Sequence, residues 1–188
     1  SKGNILDPIE IINKYGLDPL RYYLIKEVSF GNDGNISQGR LEDCINSDLA
    51  NNYGNLCQRA TAFAIKNCDG KIPSNIEFQL QDLKMLNKFK DNLDIIRSKI
   101  DEQDLNFYID YIINSLFEAN KYFNDQEPWK KKSDPLRLNT IVYTTLEVVR
   151  KISYMLYPII PQSTLNALKI FGIKEDQIIF SSLENHNY

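Results

Sequence analysis

The sequence predicts an all-α fold, an antiparallel helix bundle with a small α/β lead-in. Three observations carry this. Long segments place apolar residues at alternating steps of three and four, which is the period of a helix with one buried stripe. Asp-Pro pairs recur at Asp7-Pro8, Asp18-Pro19 and Asp134-Pro135. In each, a carboxylate is ready to cap free amides and the following proline gives up no needed N–H at the first turn. Glycine and proline fall between the periodic segments, at Gly16, Gly70, Pro73, Pro158 and Gly172, where they end helices.

Residues 1–6 read as a loop running into a short strand. A helix over 8–15 stops at Gly16, and a second starts at Asp18-Pro19. Ser29 to Asn35 is rich in turn residues, with an extended segment near 28–30. This lead-in, 1–36, is too small to own a core. Ser37 caps the next helix, which continues to about Asn67, some 30 residues or ~45 Å. Asn46 and Ser47 offer competing local hydrogen bonds and leave room for a kink. Asp82 opens a helix with Leu83, Leu86, Leu93, Ile96 and Ile100 as a seam. Another over 104–123 aligns Leu105, Ile109, Ile112, Leu116 and Ala119. A fourth starts at Pro135, carries Ile141, Thr145, Val148, Val149, Ile152 and Leu156, and stops at Pro158. A short one runs from Pro161 to Gly172. The segment 178–180 fits either a strand or an extended tail packed on the bundle. Residues 37–188 thus form the helical domain.

At 188 residues the chain buries around 70% of its extended surface without covalent staples. Apolar residues are 43% and charged residues 25%, a globular profile. The net charge of −3 argues against a sequence-blind nucleic-acid coater, which is basic overall. Cys44, Cys57 and Cys68 are odd in number and lack CxxC spacing, so neither a disulfide framework nor a metal site is expected, and a reducing cytoplasm fits. The one histidine, His186, sits in a polar tail. No apolar run spans a membrane, and the chain reads as a piece of something longer.

Two features stand apart from the core pattern. On the helix over 47–66, Leu49, Tyr53, Leu56, Ala60 and Phe63 form the apolar stripe, while Asn55, Arg59 and Lys66 lie roughly a quarter-turn away. Asn55 and Arg59, four apart, can address one object, and an amide beside a guanidinium suits a nucleobase edge. Taken alone, such a pair is more often a solvated polar face. The only tryptophan, Trp129, follows Pro128 and precedes Lys130, Lys131 and Lys132, in a loop at a helix end. A lone tryptophan is more often a core or boundary residue. An aromatic face beside lysines is also what stacks a base and holds its phosphates. In an up-down bundle, the end of the 104–123 helix can return to the level of Asn55 and Arg59.

Several stretches resemble a known family. Ser1-Lys2-Gly3-Asn4 with Asp7-Pro8 is similar to the end of the KMSKS signature of class I aminoacyl-tRNA synthetases. Lys14-Tyr15-Gly16-Leu17-Asp18-Pro19-Leu20-Arg21-Tyr22-Tyr23-Leu24 and Lys26-Glu27-Val28-Ser29-Phe30-Gly31-Asn32-Asp33-Gly34 resemble the segments C-terminal to that signature in the same enzymes. Asn46-Ser47-Asp48-Leu49-Ala50-Asn51, Gly54-Asn55-Leu56 with Arg59, and Glu127-Pro128-Trp129 resemble the bacterial-type methionyl-tRNA synthetases. The resemblance covers essentially the whole chain. It implies a stem-contact segment over 1–36 and a class Ia anticodon-binding domain over 37–188. It further implies that Trp129 stacks on the first base of a CAU anticodon, that Asn55 and Arg59 contact its polar edge, and that Pro128 shapes the pocket. Lys66, Lys130 and Lys131 are candidate phosphate contacts.

The departures are the HIGH motif, the Rossmann domain and the ATP-binding lysine of KMSKS, none of which this chain carries; any zinc-bearing insertion lies elsewhere too. No catalytic residue and no cofactor is therefore expected here, and the piece alone should be inactive. The parent would join methionine to tRNA(Met) with ATP and magnesium. The expected partners are the tRNA(Met) anticodon stem-loop and the absent catalytic domain, with a monomer as the default and no membrane. Leucyl-, valyl-, isoleucyl- and cysteinyl-type synthetases share the opening signature and form the first alternative. A helical protein-interaction scaffold is the second, and it requires Trp129 to be buried.

Overall fold

The structure, a computed structural model, describes residues 6–29, 31, 34 and 36–185. In chain order the helices are α1 (Pro8–Tyr15), α2 (Leu17–Glu27), α3 (Gln38–Cys44), α4 (Asn55–Asn67), α5 (Leu80–Asp91), α6 (Leu93–Asp101), α7 (Leu105–Gln126), α8 (Pro135–Leu156) and α9 (Pro161–Ile170). A π-helical segment, Ile45–Gly54, joins α3 to α4. Short 3-10 turns lie at Pro128–Lys130, Glu175–Gln177 and Phe180–Leu183.

Helix α8 is the axis of the bundle. It packs on α4, α5, α7 and α9 and is buried almost throughout, from Arg137 to Leu156 apart from Asn139. A helix enclosed on all sides is ordinarily apolar all round. This one carries Glu147, Arg150 and Lys151 inside, and each has a specific partner. Helix α7 delivers Ile109, Ile112, Leu116 and Ala119 to the core as its spacing predicts, and adds Tyr108, Tyr122 and Phe123. Fully burying one such aliphatic side chain is worth about 1.5–3 kcal/mol.

The caps follow the sequence with one exception. Asp7 accepts from the Ile9 amide at 2.8 Å, Asp104 from Phe107 at 3.1 Å, Asp134 from Arg137 at 3.1 Å and Ser37 from Arg40 at 3.3 Å. Asp18 does not cap its own helix. Helix α2 already starts at Leu17, and the buried Asp18 carboxylate accepts instead from the Ser163 amide at 2.7 Å, at the start of α9.

Three expectations are corrected. The helix over 37–67 is not one continuous α-helix but has a π-helical middle that includes Asn46 and Ser47, and Ser47 Oγ donates to the Asp43 carbonyl at 2.7 Å near its start. The helix expected from Asp82 to Ile100 is two, parted at Asn92, whose backbone leaves the helical region at φ −105° and ψ 5° while its side-chain amide donates to the Lys88 carbonyl at 2.8 Å. Its seam is therefore Leu86, Phe89, Leu93 and Ile96, while Leu83 and Ile100 are exposed. The lead-in has no strand among the described residues: Val28 has extended backbone dihedrals, but neither it nor Ser29 is in a ladder. Residues 1–5, most of the other expected strand, lie outside the described residues, as do Phe30, Asn32, Asp33 and Asn35. Of the two readings of 178–180, the extended tail is the one found. It leads into the turn that buries Leu183.

Candidate nucleic-acid interface

Trp129 sits in the 3-10 turn Pro128–Lys130, directly after α7. Glu127 makes the corner in the left-handed region, with φ 45° and ψ 57°, a conformation a residue with a Cβ holds only when its surroundings fix it. Pro128 is buried and plugs the turn into the bundle. The indole is not enclosed: Trp129 is 41% exposed. Its edge meets Phe123, with ring centroids 6.1 Å apart and planes at 68°.

Phe123 is the hub. Phe63 of α4 packs edge-on against it at 5.9 Å, and the Arg59 guanidinium lies over its ring at 5.3 Å. Such ring pairs contribute about 0.5–1.5 kcal/mol beyond their burial, and an exposed cation–π contact about 0.5–1 kcal/mol. Arg59 Nη2 also donates to Asn124 Oδ1 at 2.6 Å. Arg59 and Trp129, 70 residues apart in sequence, thus rest on one phenylalanine. Asn55 opens α4 one turn before Arg59 and is exposed. Asn120 steadies the preceding π segment, donating to Asn52 Oδ1 at 2.8 Å and to the Asn52 carbonyl at 3.3 Å.

The lysines are less uniform than a run of three suggests. Lys130 Nζ pairs with Glu127 at 2.7 Å. Lys131 is half-buried, and its amide donates to the Pro128 carbonyl at 3.0 Å. Lys66 is exposed in the last turn of α4.

Behind the turn lies a buried charge pair. Asp82 and Arg137 form a bidentate bridge at 2.5 and 2.9 Å. Tyr122 Oη donates to Asp82 Oδ1 at 2.5 Å, and Arg137 Nη2 donates to Gln126 Oε1 at 2.6 Å. Burial pushes the Asp82 carboxyl up, but the Arg137 and Tyr122 hydrogen bonds outweigh it and hold it below the usual carboxylate range. The sequence pattern marks Phe123 only as a helix end and Asn124 only as loop, gives Arg137 no role, and makes Asp82 a helix start. One signal was present: Arg137 puts a cation in the first turn of α8, where the helix dipole disfavours it, so it needs a specific partner.

Burial drives the Cys44 and Cys57 thiols up to about 12, which marks them as inert packing residues. Among the described residues no three His, Cys, Asp or Glu side chains cluster as metal ligands. None of the described helices is long and apolar enough to cross a membrane.

The chain is similar to known proteins along nearly all of its length. The family "tRNA synthetases class I (M)" matches residues 1–61. A methionine–tRNA ligase of Brucella suis is 41% identical over 97% of this chain and 36% of its own length. One from Mycobacterium leprae is 38% identical over 97% and 35%. The methionyl-tRNA synthetase of Mycobacterium tuberculosis in its apo form superposes with a TM-score of 0.90 at 35% identity, across 96% of this chain and 38% of that one. The chain thus spans little more than a third of the length of these relatives. Within that third, the likeness in sequence and in fold places it in the methionyl-tRNA synthetase family, as a C-terminal part built of helices.

Proposed function

We propose that this chain is the tRNA-reading part of a methionine–tRNA ligase, in which the surface of Asn55, Arg59 and Trp129 receives the first base of a CAU anticodon. The observation that carries this is the shared seat on Phe123. A partly exposed indole and a guanidinium are held beside the same ring, with the Asn55 amide one helical turn from the guanidinium. A stacked pyrimidine gains its face contact from Trp129 and its edge contacts from the amide–guanidinium pair. Stacking of this kind is worth about 1–3 kcal/mol per base. The half-open indole favours this reading over a protein scaffold, which requires the ring inside the core.

In this reading 1–36 contacts the tRNA stem and 37–188 reads the anticodon. Lys66 and Lys131 meet phosphates, and Lys130, which stays paired with Glu127, adds only a partial contact. Pro128 keeps the turn in place. The parent enzyme, a cytoplasmic monomer, binds ATP, magnesium and methionine in its catalytic domain.

The test uses the single tryptophan as its own reporter. A CAU stem-loop is expected to quench Trp129 emission on titration, and a stem-loop with an altered anticodon to do so only at higher concentration. Trp129→Ala should weaken binding by about 1–3 kcal/mol with the fold retained. Equal affinity for both stem-loops would remove the anticodon reading.

A further inference from the structure

We propose that Arg137 and Gln126 are positioning residues for Trp129, the Asp82–Arg137 pair acting through the last turn of α7 to set the angle at which the Pro128–Lys130 turn leaves the helix. This rests on the reading of Trp129 as a base platform. Tyr122 and Gln126 are four residues apart and so share one face of α7. Both are tied to the same ion pair, Tyr122 through Asp82 at 2.5 Å and Gln126 through Arg137 at 2.6 Å. The next residue after Tyr122 is Phe123, on which the indole rests. The next after Gln126 is Glu127, the left-handed corner that starts the turn.

A buried ion pair is no better for stability than apolar side chains filling the same space. What this one adds is direction. Asp82 belongs to α5, Arg137 to α8, and Tyr122 and Gln126 to α7, so a planar fork fixes three helices at one point. The Gln79 amide donates to Asp82 Oδ2 at 2.8 Å and locks the carboxylate from the α5 side. Glu127 is held from before by Gln126 and from after by the buried Pro128. Releasing Gln126 frees one of those two anchors while leaving the Asp82–Arg137 bridge intact.

The experiment compares Gln126→Ala and the space-filling Gln126→Met, each alone and in a Trp129→Ala background, using the 188-residue chain and a CAU stem-loop. For both Gln126 variants the unfolding midpoint and helical circular dichroism are expected to stay at the parent values. Acrylamide quenching and rotational freedom of Trp129 should rise in the RNA-free chain. Affinity for the stem-loop should fall on the order of fivefold, and that loss should vanish in the Trp129→Ala background. Unchanged quenching overturns the proposal. So does an affinity loss that persists without the indole, because Gln126 then meets RNA directly, or one that tracks a lowered unfolding midpoint in both variants. If Trp129→Ala binds RNA as well as the parent chain, the platform reading falls by itself, and quenching in the RNA-free chain still decides whether the network sets the turn.

Discussion

Near its start α8 buries Arg137 against Asp82 of another helix; about three turns on it buries Glu147, Arg150 and Lys151 within five residues of itself. In the first cluster the partners come from different helices, and the fork of Arg137 closes on a carboxylate that also accepts from Tyr122 and the Gln79 amide. In the second, Arg150 pairs with Glu147 three residues earlier at 2.6 and 2.7 Å, a contact that joins no two elements. Its reach comes from N–H groups sent elsewhere. Lys151 donates to the Leu183 carbonyl at 2.8 Å, and Arg150 to those of Asn185 at 3.2 Å and Ser182 at 3.5 Å. The electrostatics differ accordingly. Asp82 is held below the ordinary carboxylate range, whereas burial lifts the Glu147 carboxyl above it and pulls the Lys151 ammonium down to about 8. A pair shared between helices fixes their mutual angle; a pair within one helix pins whatever backbone its spare donors reach.

The largest expected effect breaks the first cluster. Arg137→Ala leaves Asp82 buried without its counter-charge and should cost about 3–5 kcal/mol in denaturant unfolding. The double variant Asp82→Leu/Arg137→Met should recover most of that stability while leaving Trp129 more mobile. If the double variant restored an indole as rigid as the parent's, the two clusters would not differ in the way described.

The second cluster is sharpened by pH. The Lys151 ammonium titrates near 8 when folded and at 10.5 when exposed. Above pH 8 the unfolded chain therefore holds a proton the folded one has released, and stability rises with pH. Between pH 8 and 9 the gain should be about 1 kcal/mol. From pH 9 upward the Cys44 and Cys57 thiols, each raised from 9.0 to about 12 in the fold, work in the opposite direction, because only the unfolded chain then loses their protons. The measurement is the difference in unfolding free energy between the parent chain and Lys151→Met across that window. A flat difference would show that Lys151 is not strained by its burial.

The smallest effect concerns exposed charge. Because Lys130 already pairs with Glu127 at 2.7 Å, Lys130→Ala should change the slope of log affinity against log salt by clearly less than one. A full unit would mean that Lys130 abandons Glu127 for a phosphate on binding.

How far the sequence reached can be judged from particular residues. Helices α7, α8 and α9 were legible because their starts and stops are local: Asp104 and Asp134 cap by bonding amides three residues on, Pro158 falls just after α8, and Pro161 opens α9. The polar pair Asn55 and Arg59 was legible from spacing alone, as was the oddity of a loop-borne Trp129. Phe123 was not, since nothing in a helical pattern tells a core phenylalanine from one that carries a guanidinium on its face. The break at Asn92 escaped because the period of three and four runs straight through it. Arg137 and Asp82, 55 residues apart, were invisible as a pair, since only the packing of α5 on α8 brings them together.

Asp18 and Arg21 have a consequence for how the chain is made. The Asp18 carboxylate meets the Ser163 amide, and Arg21 donates to the carbonyls of Pro158 at 2.7 Å and Ile159 at 2.8 Å. These partners leave the ribosome some 137 to 145 residues later. At roughly 5–20 residues per second, α2 must wait several seconds or more with its acid and its guanidinium in water, so a helix made well before α9 is locked in place only once α9 has emerged.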